Sequence, residues 1–318
     1  MGLKIGIVGL PNVGKSTLFN ALLKKQLAYV ANFPFATIEP NIGIVPVPDG
    51  RLKQLSQAVK DTEGLDFLPP EVAATIEFVD IAGLIAGAHK GEGLGNKFLS
   101  HVREVDAICH VVRAFSDPEI IKQGVSDPKT DFEIVKLELD LADMEHPVAP
   151  PFSKKPVLVV LNIDEKDLLK AQEIEEKYAS DTGLNIDQVI AVCAKTESEL
   201  SELAKDEQKA YLDDLGIKES ALDRLIKKAF TTLGLITFLT AGEKEVRAWT
   251  IKVGINAQEA SGVIHTDFMK NFIKADVVSF DDFIKLGWKK AREEGKVASE
   301  GKDYTIADGD VVEFKIGQ

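Results

Sequence analysis

Lys15, Ser16 and Thr17 close the run Gly9-Leu10-Pro11-Asn12-Val13-Gly14-Lys15-Ser16-Thr17, which fits the pattern G-x-x-x-x-G-K-[ST]. Those residue types at that spacing do phosphate chemistry. The glycines let backbone N–H groups along Asn12, Val13 and Gly14 turn inward around a phosphate, Lys15 neutralises β and γ oxygens, and the Ser16 hydroxyl can ligate Mg2+. Such a loop works only if the right elements flank it. Ile5 to Val8 is an apolar run that reads as a strand, and Ser16 to Leu23 has apolar residues at helical spacing. The loop therefore opens onto a helix N-terminus whose dipole favours anions.

Further candidates stand at the ends of other apolar runs. Thr75-Ile76-Glu77-Phe78-Val79-Asp80 reads as a strand and leads into the D-x-x-G tetrapeptide Asp80-Ile81-Ala82-Gly83. An aspartate there reaches the Mg2+ shell, and the Gly83 N–H senses a γ-phosphate. Thr37, about twenty residues past Lys15, sits where a switch segment supplies a second Mg2+ ligand; a solvent-facing loop threonine is the alternative. Two further strands end in Asn162-Ile163-Asp164-Glu165 and in Cys193-Ala194-Lys195. All these loops are expected at the carboxyl edge of one mainly parallel sheet, where open α/β sheets bind ligands. Asn162 could instead be only a helix cap.

The base and the attacking water each depend on one short stretch. Guanine-reading loops use N-K-x-D, whose aspartate accepts from two guanine donors that adenine lacks. Here Ile163 replaces the lysine and Glu165 the aspartate, so ATP is expected over GTP. Leu84 follows Gly83 where Ras-type enzymes carry a water-orienting glutamine, so hydrolysis is slow or relies on another group. His110, interrupting the apolar run Ala107 to Val112, and His89, in the glycine-rich segment after Leu84, are the candidates. A core histidine and a solvated loop histidine are the bland alternatives.

Composition limits the rest. The chain has 318 residues, 45% hydrophobic and 28% charged, enough for two domains. No run approaches the ~20 apolar residues of a membrane span. The N-terminus lacks a signal-peptide pattern, and only Cys109 and Cys193 are present, both in apolar runs. A cytoplasmic monomer with no membrane partner is expected. The net charge of −13 argues against a general nucleic-acid footprint. From Ile236 to Gln318, however, there are 12 Lys and Arg against 14 Asp and Glu, which leaves room for a local basic face. Lys285, Lys289, Arg292 and Lys296 would line one side of a helix beside Trp288 and Lys290 if that helix survives Gly287 and Gly295, making an RNA or ribosome contact. A solvated helix face with Trp288 as its anchor is the alternative. A nucleotide domain over 1–234 and a small domain over 235–318 are expected.

Taken in order, Gly9 to Thr17, Asn32-Phe33-Pro34-Phe35-Ala36-Thr37-Ile38-Glu39-Pro40, the glycine-rich segment from Asp80 to Asn96 and Asn162 to Glu165 resemble the YchF/Obg-like ATPases of the translation-factor class of P-loop GTPases. The stretches Ala241 to Thr250 and Gly301 to Phe314 resemble that family's TGS domain, a ubiquitin-like β-grasp. The resemblance implies an α/β P-loop fold with that second domain, and a Mg2+-dependent, ribosome-associated triphosphatase that takes ATP as substrate. Asn12 resembles the potassium ligand of cation-dependent relatives, which implies K+. Two departures stand out. Relatives carry a long helical hairpin where this chain is cut short by His146-Pro147-Val148-Ala149-Pro150-Pro151, near 141–156, and Ala36 replaces a common cysteine. Partners of the hairpin and thiol regulation are therefore not carried over. A P-loop small-molecule kinase is disfavoured because residues 85 to 115 offer only Arg103 and Arg113 for a lid. A non-hydrolysing RNA-binding module with a structural nucleotide is the reading from another class.

Overall fold

The computed structural model describes residues 3–30, 41–81, 94–116, 127–145 and 150–317. In chain order these form β1 (Lys4–Val8), α1 (Lys15–Val30), β2 (Ile42–Pro46), α2 (Arg51–Glu63), β3 (Glu71–Val72), β4 (Thr75–Asp80), α3 (Leu94–Glu104), β5 (Ala107–Arg113) and α4 (Pro128–Glu145). Then come β6 (Val157–Asn162), α5 (Ala171–Thr182), β7 (Val189–Val192), α6 (Ala194–Leu200), α7 (Lys205–Asp214) and α8 (Ala221–Thr232). The chain ends with β8 (Leu235–Ala241), β9 (Val246–Lys252), α9 (Ala257–Ile264), α10 (Thr266–Lys270), β10 (Phe272–Val278), α11 (Phe280–Glu293), β11 (Ala298–Glu300) and β12 (Val311–Ile316). None of the described helices is long and apolar enough to cross a membrane.

Two compact units result, residues 1–46 with 76–233, and residues 47–75 with 234–318. The sequence reading put 47–75 in the first unit. Its placement follows from α2, which buries Leu52, Leu55, Ala58 and Val59 on one face, and from β3, which pairs in parallel with β9. Nothing local in that stretch names its partner.

In the first unit a six-stranded sheet runs β2-β4-β1-β5-β6-β7, with β1 parallel to both β4 and β5, and β5, β6 and β7 parallel in turn. Strands buried on both faces read as continuous apolar runs, as β5, β6 and β7 do. One layer is Phe98, Leu99 and Val102 of α3 against Val135, Leu139 and Ala142 of α4. The other edge, β7, has no further strand among the described residues; side chains cover it instead. Glu175 accepts from the Ala191 N–H at 2.9 Å and from Arg224 at 2.6 Å, and Lys228 donates to the Val189 carbonyl. Blocking an edge this way removes a template for adventitious strand pairing.

The second unit is a mixed sheet ordered β11-β10-β12-β8-β9-β3. Phe238, Ile251, Ala275, Val277 and Val312 pack with Ala257 and Ala260 of α9. The basic helix expected near its end does not run straight. Gly287 is non-helical inside α11 (φ 63, ψ −178), and a Cβ there would lie 2.5 Å from Thr62 Oγ1. The close approach of α2 leaves room only for glycine at the kink, Lys285 is not in helical register with Lys289 and Arg292, and Lys296 lies past the helix end. Arg292 pairs with Glu313 and lies 5.1 Å over the Trp288 ring, Lys296 reaches Asp282 at 3.8 Å, and Trp288 donates to the Ala241 carbonyl. Trp288, packed on Phe283 as well, thereby anchors this helix.

Candidate functional site

The phosphate loop leaves β1 at Gly9, which has φ 152 and so close a neighbour that a Cβ would lie 2.3 Å from the Val111 carbonyl oxygen of β5. Gly14 has φ 96, and a Cβ there would meet Asn162 Nδ2 at 2.2 Å. Both glycines are thus required twice, by backbone conformation and by space. Asn12 also has a left-handed φ of 62, tolerable for its short polar side chain. The Leu18 N–H donates to the Gly14 carbonyl at 3.0 Å, so the helix begins where the loop ends.

Lys15 folds back over this loop and donates to the carbonyls of Gly9 and Leu10 at 2.9 and 2.7 Å. Burial pulls its pKa down and Asp80 opposes that pull; Asp80, at the end of β4 in register with Ile7, is pushed up by burial against the Lys15 charge. Ser16 and Thr17 are exposed beside it. Ser16 and Asp80 are a hydroxyl and a carboxylate, hard donors too few to enclose an ion. Among the described residues no cluster of three or more His, Cys, Asp or Glu side chains is arranged to hold a metal. That donor set fits Mg2+, which keeps waters and phosphate oxygens as its other ligands.

Asn162, at the end of β6, is committed to the protein. Its Nδ2 donates to the Val13 carbonyl at 2.9 Å and its Oδ1 accepts from the Ala194 N–H at 3.0 Å. One buried carboxamide therefore staples the phosphate loop to the loop after β7. Ile163 turns inward at 2% exposure, into the cluster of Val112, Leu161 and Cys193. Asp164 accepts from the Ser116 N–H at 3.0 Å, and Glu165 and Lys195 are exposed.

One cleft of about 850 Å3 is lined by Asn12, Gly14 to Thr17, Asn162 to Lys166, Cys193 to Lys195, Phe115 and Ser116, and Asp80 is not part of its lining. Phe115, Ser116 and Lys166 are not among the sequence candidates. Phe115 and Ser116 follow β5, and reading the carboxyl end of that strand as the others were read would have found them. Val13 is buried beneath the loop. His110 does not line the cleft. It is 2% exposed, in register with Val8, stacked on Phe132 at 5.5 Å, and its Nε2 has no hydrogen-bond partner among the described residues. Burial, and then Lys15, drop its pKa to about 3, so it is neutral at physiological pH. Thr37, Gly83, Leu84 and His89 lie outside the described residues.

Residues 4–163 match the family described as "50S ribosome-binding GTPase", and residues 235–317 match the YchF GTPase C-terminal family, described as "Protein of unknown function (DUF933)". The "Ribosome-binding ATPase YchF" of Bacillus subtilis (strain 168) is 44% identical over 374 aligned positions, 99% of each chain. The chain belongs to the YchF family. The "Ribosome-binding ATPase YchF" of Escherichia coli O157:H7 is likewise 44% identical, over 367 positions and 99% of each chain. The solved structure of the Schizosaccharomyces pombe YchF GTPase covers 99% of this chain and 98% of its own, at 33% identity and a TM-score of 0.81. The first unit is accordingly an α/β P-loop domain of the GTPase type, followed by the family's C-terminal domain. Both YchF alignments are longer than this chain's 318 residues, so those relatives carry residues that it lacks.

Proposed function

We propose that the chain is a ribosome-binding, Mg2+-dependent ATPase that prefers ATP to GTP. The names of relatives differ on the nucleotide, ATPase for the bacterial proteins and GTPase for the fission-yeast structure. The observation that carries the reading is Ile163. A lysine at that position would lay its stem over the base, whereas this isoleucine is packed in the core, and Glu165 replaces the aspartate of a guanine fork. Ser16 and Asp80 would hold Mg2+, with Thr37 from the preceding segment, and the ion when bound would neutralise phosphate charge. Lys15 would swing from the Gly9 and Leu10 carbonyls to the β and γ oxygens. Asn12, exposed at the cleft, is the residue for K+. Gly83 would sense the γ-phosphate. His89, or a neutral His110 beneath the loop, would orient the attacking water.

Ribosomes are the proposed partner, in the cytoplasm, with the chain monomeric and the C-terminal unit a TGS-like β-grasp. The longer alignments of the relatives support a helical hairpin shortened near 141–156. Any RNA contact through α11 would fall to Lys285, Lys289 and Lys290, because Arg292 and Lys296 face carboxylates. Titration with labelled nucleotides tests the central reading. ATP should bind tighter than GTP, and I163K/E165D should recover guanine affinity; a native chain that binds GTP about tenfold tighter, roughly 1.4 kcal/mol, overturns it. Phosphate release from ATP with and without ribosomes separates a hydrolase from a non-hydrolysing module.

A further inference from the structure

Helix α4 carries two apolar faces, and among the described residues only one is fully packed. Val135, Leu139 and Ala142 are buried against α3. On the far side Ile134, Leu137, Leu141 and Met144 recur at intervals of three, four and three, the a/d spacing of a helix-pairing seam. Leu137 is 58% exposed and Met144 78%, with Ile134 and Leu141 partly so. Single exposed apolar residues are ordinary on a surface, but four in heptad register along one helix are not.

What would cover this seam follows from its flanks. With Ile134 and Leu141 at a, the g positions hold Glu133 and Asp140, both acidic and at least partly open to solvent, while the acidic residue at e, Glu138, is buried. A second copy of the helix would set like charges against each other in either orientation, which disfavours self-association. The chain's own connection cannot supply the cover either, because six residues separate Glu145 from Phe152, too few for a helix and its return. The return is itself pinned, since Asp143 accepts from the N–H groups of Phe152 and Ser153 at 2.7 and 2.9 Å. We propose that this face of α4 docks an amphipathic α-helix of a partner protein whose apolar seam is flanked by lysine or arginine. Helix-on-helix burial supplies the affinity, and the acidic flanks select the partner and set its register. The net charge of −13 speeds the encounter with a basic helix.

Two synthetic peptides of about four heptads test this on the full chain. Both carry Leu at a and d; one has Lys at every e and g, the other Glu. Fluorescence anisotropy should show the Lys peptide binding at least about tenfold tighter than the Glu peptide. The double variant L137S/M144S, whose sites lie on the surface, should lose that binding while keeping the native urea midpoint and ATP affinity. E133K/D140K should reverse the preference toward the Glu peptide. Equal binding of both peptides, or Lys-peptide binding that L137S/M144S leaves intact, overturns the proposal, the latter by reducing it to general charge attraction. A wild-type dimer in sedimentation that L137S/M144S dissociates also overturns it, by assigning the seam to a second copy.

Discussion

Asn162 is a structural residue of the cleft. Its side chain holds two loops of the cleft at once, one bond to Val13 and one from Ala194. Replacing it by aspartate removes the donor to Val13, sets a carboxylate oxygen against that carbonyl and leaves the acceptor for Ala194. N162D should therefore weaken ATP binding by about 2 kcal/mol, near thirtyfold, in an equilibrium titration, while N162A loses both bonds and weakens it at least as much. His110 makes a different prediction. Its imidazole is neutral above about pH 3, so a pH profile of ATP turnover between 5 and 9 should carry no inflection from it. If H110A abolishes an inflection near pH 6.5, the residue titrates in solution as a free histidine does and is not buried.

Elements are joined by buried carboxylates as much as by apolar contact. Glu197 of α6 is 5% exposed and accepts from the Ala221 N–H at 2.7 Å, capping α8 together with Ser220, while Lys25 of α1 pairs with Asp223 in the same first turn. Burial raises the Glu197 pKa to about 7; the Ala221 and Leu222 N–H groups and Lys25 hold it from rising further, and Asp223 adds to it. An acid whose folded pKa lies above its unfolded value binds more protons when folded. Stability is thus highest below about pH 4.5 and falls as pH rises to about 7, by up to about 3 kcal/mol from this group. E197Q should flatten that slope in urea melts at pH 5 and pH 8. Glu175 is held by several partners at once, the Ala191 N–H, Arg224 and Lys228. E175A leaves Arg224 and the Ala191 N–H without their acceptor and should cost about 3 kcal/mol in the same melts.

At the scale of the whole molecule each unit has its own sheet and core. Both tryptophans, Trp249 and Trp288, belong to the second unit, and the nucleotide cleft belongs to the first. In urea the tryptophan fluorescence transition should therefore shift less on adding Mg2+ and ATP than the far-UV circular dichroism transition. Nucleotide at about 100 times its Kd adds about 2.7 kcal/mol to the unit that binds it. The kink in α11 gives the second unit its own test. G287A forces a Cβ onto Thr62 at a positive φ and should lower the tryptophan transition by about 2 kcal/mol; T62G in the same chain should restore part of the loss.

The phosphate loop, the strand ends that surround it and the loss of the guanine fork are legible in sequence because each is local. A strand, a turn that needs glycine and a helix start are written within a few consecutive residues, and the edge rule for parallel sheets then brings them together. Long-range placement is not written that way. The membership of 47–75 in the second unit depends on β3 finding β9 nearly two hundred residues away. The inward turn of Ile163 and the burial of His110 depend on which apolar neighbours crowd them. The spacing of Lys285 to Lys296 describes a straight basic helix, whereas the folded chain bends at Gly287, where Thr62 leaves no room for a Cβ. Periodicity records which face of a segment is apolar; what covers that face is decided by packing between segments far apart in the chain.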